Sequence, residues 1–230
     1  MFNDLKAMLY FLTTDFRFGL TIFWSIFLAS TGVLYLLTFS FNDVTIIVSS
    51  SLAIYIYCGI SGFLMTKETL PFCLKMGTTR NRYFSGVIVF NLILGAFMAF
   101  ISSTLSLVVG MTEQSNLQLM TAIDATSLSP GWFNQFWLET LICFLFLSIG
   151  FMFSAIFYRT GLVGGLSVIG IVVIAILLPD LREQFLDFFL EFSESGITIH
   201  YVSLFIAALL AMIPTWLLLN RASIHSAATR

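Results

Sequence analysis

Residues 84–110 read FSGVIVFNLILGAFMAFISSTLSLVVG, a run without a single charged side chain. An α-helix rises about 1.5 Å per residue, so about 20 apolar residues cross the ~30 Å hydrocarbon core of a bilayer. The run therefore predicts a transmembrane helix. Two further apolar stretches precede it, Phe18–Phe39 and Val44–Met65, and three follow, Phe133–Tyr158, Gly161–Pro179 and Tyr201–Leu219. Short polar segments separate them, and no soluble domain fits between. The expected fold is all-α: one polytopic membrane domain over residues 1–230 with six transmembrane helices.

Composition agrees. Mean hydropathy is +1.00, and only 10% of residues are charged, too few to clothe a water-facing surface. The net charge of −2 says little, but its distribution says more. If the six spans alternate, Lys6, Arg17, Lys67, Lys75, Arg80, Arg82, Arg159, Arg221 and Arg230 share one side, and only Arg182 lies opposite. Asp43, Glu113, Asp124, Asp180, Glu183, Asp187, Glu191 and Glu194 gather on that opposite side. The positive-inside rule then places both termini in the cytoplasm.

The first stretch is too long and starts too late for the 7–15-residue apolar region of a cleaved signal. Cys58 and Cys143 fall in spans and Cys73 in a cytoplasmic loop, so no disulfide framework is expected. His200 and His225 lie on opposite sides, and no metal-ligand spacing occurs.

Residues 1–17 carry Phe2, Leu5, Leu9 and Leu12 at helical spacing. They form either an amphipathic helix in the cytoplasmic interface or a helical extension of the first span. The external segment 180–200 repeats Leu181, Phe185, Phe188 and Phe192 against an acidic face, the pattern of a second amphipathic helix. The cytoplasmic loop 66–85, TKETLPFCLKMGTTRNRYFS, has an apolar run of its own. Pro71 suits a first helical position. Phe72, Leu74 and Met76 supply an apolar surface, and Gly77 suits a left-handed helix end. Thr78 and Thr79 can cap the next helix.

Reactive constellations are missing. There is no phosphate loop, no H-E-x-x-H and no G-x-S-x-G, so no enzyme activity is expected of the chain. Among the spans Glu139 stands out, about one to two turns inside the outer end of the fourth. It is either an interface-solvated carboxylate or a polar group lining a cavity or pairing subunits. Asn91 in the third span is expected to make an interhelical hydrogen bond. Ser49–Ser51 and Ser102–Thr104 allow close helix approach and back-bonding to their own carbonyls. Gly161 with Gly165, Gly95 with Ala99, and Gly150 with Ser154 read as small-residue packing faces. Pro214 predicts a kink in the sixth span.

The run Pro71-Phe72-Cys73-Leu74-Lys75-Met76-Gly77-Thr78-Thr79-Arg80-Asn81-Arg82-Tyr83-Phe84-Ser85-Gly86 resembles the loop before the third span in bacterial permeases of the type-2 ATP-binding-cassette exporter class. There an apolar turn leads to Gly-x-[ST]-Arg, then aromatics and a glycine, here Gly77, Thr79, Arg80, Tyr83, Phe84 and Gly86. The layout of the whole chain is similar to the family's, although the motif covers only this loop. The resemblance implies a transport subunit of the bacterial cytoplasmic membrane, working with a second permease and two copies of a separate ATPase. ATP and magnesium would bind that partner, and this chain would bind no cofactor. By the same resemblance Pro71, Phe72, Leu74, Lys75, Met76, Gly77, Thr79, Arg80 and Tyr83 form a coupling element against the ATPase. The substrate expected is an amphiphile: a peptide, lipid or hydrophobic antibiotic. The rival readings are a non-transporting assembly or sensor subunit and an ATP-independent carrier or channel. The spans are nearly free of ionisable groups, which counts against the carrier.

Overall fold

A computed structural model describes residues 2–40, 46–111, 117–125, 131–178 and 197–221. In chain order the elements are α1 (Phe2–Ser40), β1 (Ile46–Ser49), α2 (Ser50–Leu64), a π-helical turn (Met65–Thr69) and α3 (Leu70–Lys75). Next come α4 (Arg80–Gly110), β2 (Leu117–Met120), a 3-10 turn (Ala122–Ala125), α5 (Trp132–Leu177) and α6 (Ile197–Arg221). Among the described residues four helices, α1, α4, α5 and α6, are long and apolar enough to cross a membrane. The protein is a helical membrane protein. The external segment 180–200 lies almost entirely outside the described residues.

Three of the six expected spans are modified. The second, expected over 44–65, begins as strand and leaves α2 only 15 residues, about 22 Å of helix. The cause is the β-branched run Val44-Thr45-Ile46-Ile47-Val48, which favours extended backbone. β1 pairs in parallel with β2, Ile46 opposite Leu117 through Ser49 opposite Met120. The fourth and fifth spans join in α5 with one break, at Gly161 (φ 74°, ψ −175°). Any residue with a side chain would be strained there. Gly161 divides α5 into a first limb, 132–160, and a shorter second limb, 162–177.

Residues 2–17 continue into the first span as part of one helix. α1 offers one narrow buried stripe, Met8, Leu12, Phe16, Trp24, Thr31 and Thr38, and leaves its other faces open. The second limb of α5 is similarly exposed, with Leu162, Val163, Leu166 and Leu177 all uncovered.

The core lies where the first limb of α5 meets α2, α4 and α6. Facing pairs set the directions. Ser51 meets Glu139, Tyr55 stacks on Phe146 and Phe63 meets Phe157, so α2 and the first limb run parallel. Gly95 abuts Thr140 and Phe144 while Phe84 stacks on Phe151, so α4 runs against them. α6 adds Leu204, Ala208, Met212 and Leu219 at helical spacing. Lipid tails match these side chains in polarity, so close packing and interhelical hydrogen bonds hold such a bundle together. The strands close one end of the bundle, and α3 closes the other. Pro214 sits inside α6, which continues through it.

Candidate functional site

Two places combine chemistry with geometry: the elbow around α3, and a buried carboxylate between α2, α4 and α5.

The elbow is built from its own backbone. Pro71 begins α3 where its missing N–H costs nothing. Gly77 takes φ 86°, Thr78 N–H donates to the Cys73 carbonyl (3.1 Å) and Gly77 N–H to the Leu74 carbonyl (3.1 Å). This is a Schellman ending, and it agrees with the left-handed glycine read from the sequence. Thr79 then precedes α4 in extended conformation, but its side chain makes no cap bond. Before α3 the π-helical turn widens the ladder. The Met65 carbonyl accepts Leu70 N–H across five residues and also the Tyr83 hydroxyl at 2.6 Å. That second bond ties the end of α2 to the start of α4.

The residues expected to face a partner separate into two groups. Phe72, Lys75, Met76, Gly77 and Thr79 are exposed, with Pro71 and Leu74 half-buried. Phe72 stacks on Phe11 of α1, ring centroids 4.5 Å apart. Met8, Phe11, Phe72, Met76 and Arg82 help to line a cleft of about 500 Å³ between α1 and α3. Tyr83 does not belong to that surface, and half-buried Arg80 also reaches toward α6. Tyr83 is fully buried, so its ring and hydroxyl serve the bundle. Arg80 donates from Nη1 to the Leu219 carbonyl (3.0 Å), holding the C-terminal turn of α6, where a cation is favoured. Cys73 is buried beneath the elbow. Desolvation, and then the Asp15 carboxylate, push its thiol above the ordinary range.

Glu139 is 0% exposed, so the interface-solvated arrangement is not the one formed. Its Oε1 accepts the Ser51 hydroxyl of α2 at 2.8 Å. Gln135, one turn earlier on α5, and Ser102 of α4 face the same carboxylate. Oε2, Gln135 Nε2, Ser102 Oγ and the nearby Tyr55 hydroxyl have no hydrogen-bond partner among the described residues. Below Glu139, Cys58 and Cys143 face each other across α2 and α5. Toward the strand end, Asp124 Oδ2 accepts Thr121 N–H (2.7 Å) and the Thr121 hydroxyl (3.0 Å). Sequence reading found Glu139 but not its partners. The available signal was a pair of i, i+4 polar repeats, Ser51–Tyr55 and Gln135–Glu139, each on one helix face.

Other expectations need correction. Asn91 is fully buried, yet neither amide atom has a hydrogen-bond partner among the described residues, so the expected interhelical bond is not made. Thr104 back-bonds to Phe100 as expected, whereas Ser51 reaches across to Glu139. Gly95 and Gly150 do lie at helix contacts. A Cβ at Gly95 would stand 3.3 Å from the Thr140 carbonyl, and one at Gly150 would overlap the Gly59 carbonyl oxygen. Gly161 and Gly165 form no continuous face. Gly161 is the break in α5, and Gly165 makes room for the Phe157 ring of the same helix. Gly62, passed over in the sequence, lies against the Leu147 backbone at the α2–α5 crossing.

No protein-family model, curated protein or solved structure matches this chain.

Proposed function

We propose that this chain is the membrane-spanning subunit of an ATP-driven exporter, coupled through α3 to a separate ATPase. The observation that carries the reading is the elbow: exposed Phe72, Lys75 and Met76 on a short helix, fastened at both ends to α2 and α4. A push on such an element passes to the long helices, because backbone and side-chain bonds join them. The open apolar faces of α1 and the second limb of α5 leave room for a second permease as well as for lipid. The orientation proposed has α3 and both termini in the cytoplasm of a bacterial cell, with the strand end outside. ATP and magnesium would belong to the partner, and the cargo would be an amphiphilic peptide, lipid or antibiotic.

Affinity purification of the chain from its native membrane in mild detergent, followed by mass spectrometry, tests the reading. A stoichiometric protein with a phosphate-loop motif is expected. Phe72→Ala with Met76→Ser should release that protein while the permease stays folded. Absence of any ATPase from a folded preparation would overturn the reading. Orientation is tested with single cysteines, because the three native thiols are buried. Met120, 49% exposed, is the outer position. An impermeant maleimide should label Met120→Cys from outside and Met76→Cys only from inside.

A second reading, an ATP-independent carrier, draws on one observation: the fully buried Glu139 among unpartnered polar atoms.

A further inference from the structure

Glu139 sits where a lone carboxylate is costly. Charge in the membrane interior is expensive, and such groups neutralise or pair. The groups acting on it are Ser102, Ser51, Gln135 and Asp124, none of them cationic. Asp124 adds a second negative charge from the strand-end turn. Tyr55 and Cys58 of α2 and Cys143 of α5 lie in the same region, and none of them is a cationic side chain. Among the described residues, no cationic side chain faces the site.

The surrounding atoms indicate what kind of cation suits it. Ser51 Oγ, Ser102 Oγ, the Tyr55 hydroxyl and the Glu139 carboxylate are hard oxygens, the donors that suit protons and alkali ions rather than soft metals. Glu139, Ser102 and Gln135 are each at least nine-tenths buried. Each keeps an atom without a hydrogen-bond partner among the described residues. One carboxylate inside the site matches one unit of charge. Asp124 is exposed and lies on the strand side, so it marks the approach from that surface.

We propose that the Glu139 cluster binds one monovalent cation, a proton or an alkali-metal ion, which enters from the strand end past Asp124. The proposal is independent of ATPase coupling and stands whether or not the exporter reading does.

The test uses the full chain purified in detergent. Thermal unfolding is followed with sodium or potassium chloride replacing choline chloride at constant ionic strength, and then across a pH series. If the ion is an alkali metal, it raises the wild-type midpoint saturably and leaves Glu139→Gln unmoved. If it is a proton, alkali salts do nothing. Below the thiol range, the pH dependence of wild-type stability is then lost in Glu139→Gln. Glu139→Gln tracking wild type in both series overturns the proposal. Should that variant fail to fold, Ser51→Ala removes one oxygen and Asp124→Asn the approach charge. For an alkali ion, Ser51→Ala is expected to weaken the apparent midpoint roughly tenfold, the worth of a hydrogen bond to a charged group; for a proton it acts the other way, because the Ser51 hydroxyl donates to the carboxylate. An unchanged midpoint in both variants is equally fatal.

Discussion

Replacing Gly62 with alanine should loosen the bundle far more than the same change at Gly59, three residues away on α2. The added carbon at position 62 would overlap the Leu147 carbonyl oxygen and stand 3.1 Å from the Leu147 Cα. At position 59 a Cβ meets nothing within 4 Å. Alanine gains about 1 kcal/mol over glycine in helix propensity at either site. Ordinary contact between such atoms is near 3.5 Å, so relief at position 62 requires the two helices to part by roughly 1 Å. The obstacle is backbone and cannot rotate away as a side chain would. Overpacking a tight contact typically costs about 1–3 kcal/mol, and a backbone obstacle belongs at the upper end. Net destabilisation of about 2 kcal/mol is expected for Gly62→Ala, against a neutral or slightly stabilising Gly59→Ala. Reversible unfolding in mixed detergent, followed by circular dichroism, measures both. Equal midpoints for the two variants would refute the close α2–α5 crossing.

Tyr83→Phe removes the hydroxyl from the Met65 carbonyl, which keeps its bond from Leu70 N–H. A loss near 1 kcal/mol is expected in the same unfolding assay, the usual worth of a neutral hydrogen bond. Gly77→Ala forces a Cβ into φ 86° and should cost about 1–2 kcal/mol, with Gly77→Asn milder. Hydrogen exchange at Thr78 and Thr79 should rise with it. For Cys73 the neutral thiol is the favoured form, because burial and Asp15 both oppose the thiolate. Its folded value lies above its unfolded one, so stability holds below the ordinary thiol range and declines as pH rises through it. Maleimide labelling should therefore be slow near neutrality, and Asp15→Asn should speed it.

How much was legible depended on the range of each interaction. The Gly77 turn was legible because a left-handed residue, a first-turn proline and flanking apolar positions are all local. The start of the second span was not, although Val44–Val48 carried the warning. A hydropathy reading counts β-branched residues as apolar without weighing their preference for extended backbone. Tyr83 and Arg80 were assigned to a partner surface through the resemblance of the whole loop. Their neighbours, the Met65 and Leu219 carbonyls, lie 18 and 139 residues away. Glu139 was visible as a lone charge, but its depth could not be read. Whether a residue near a helix end meets lipid, headgroup or protein depends on what packs beside it.

By itself the sequence determined that this chain belongs in a membrane, that it is helical, and where a short elbow interrupts it. Those properties follow from mean hydropathy, segment length and turn chemistry, each a sum over nearby residues. Only the tertiary structure decided that α2 and α5 run parallel and cross on bare backbone at Gly62 and Gly150. It alone turned Tyr83 inward, made Gly161 a break, and enclosed Glu139 among hydroxyls and an amide. Each of these depends on helix rotation and register, and apolar surfaces of equal hydropathy leave both open until side chains interlock.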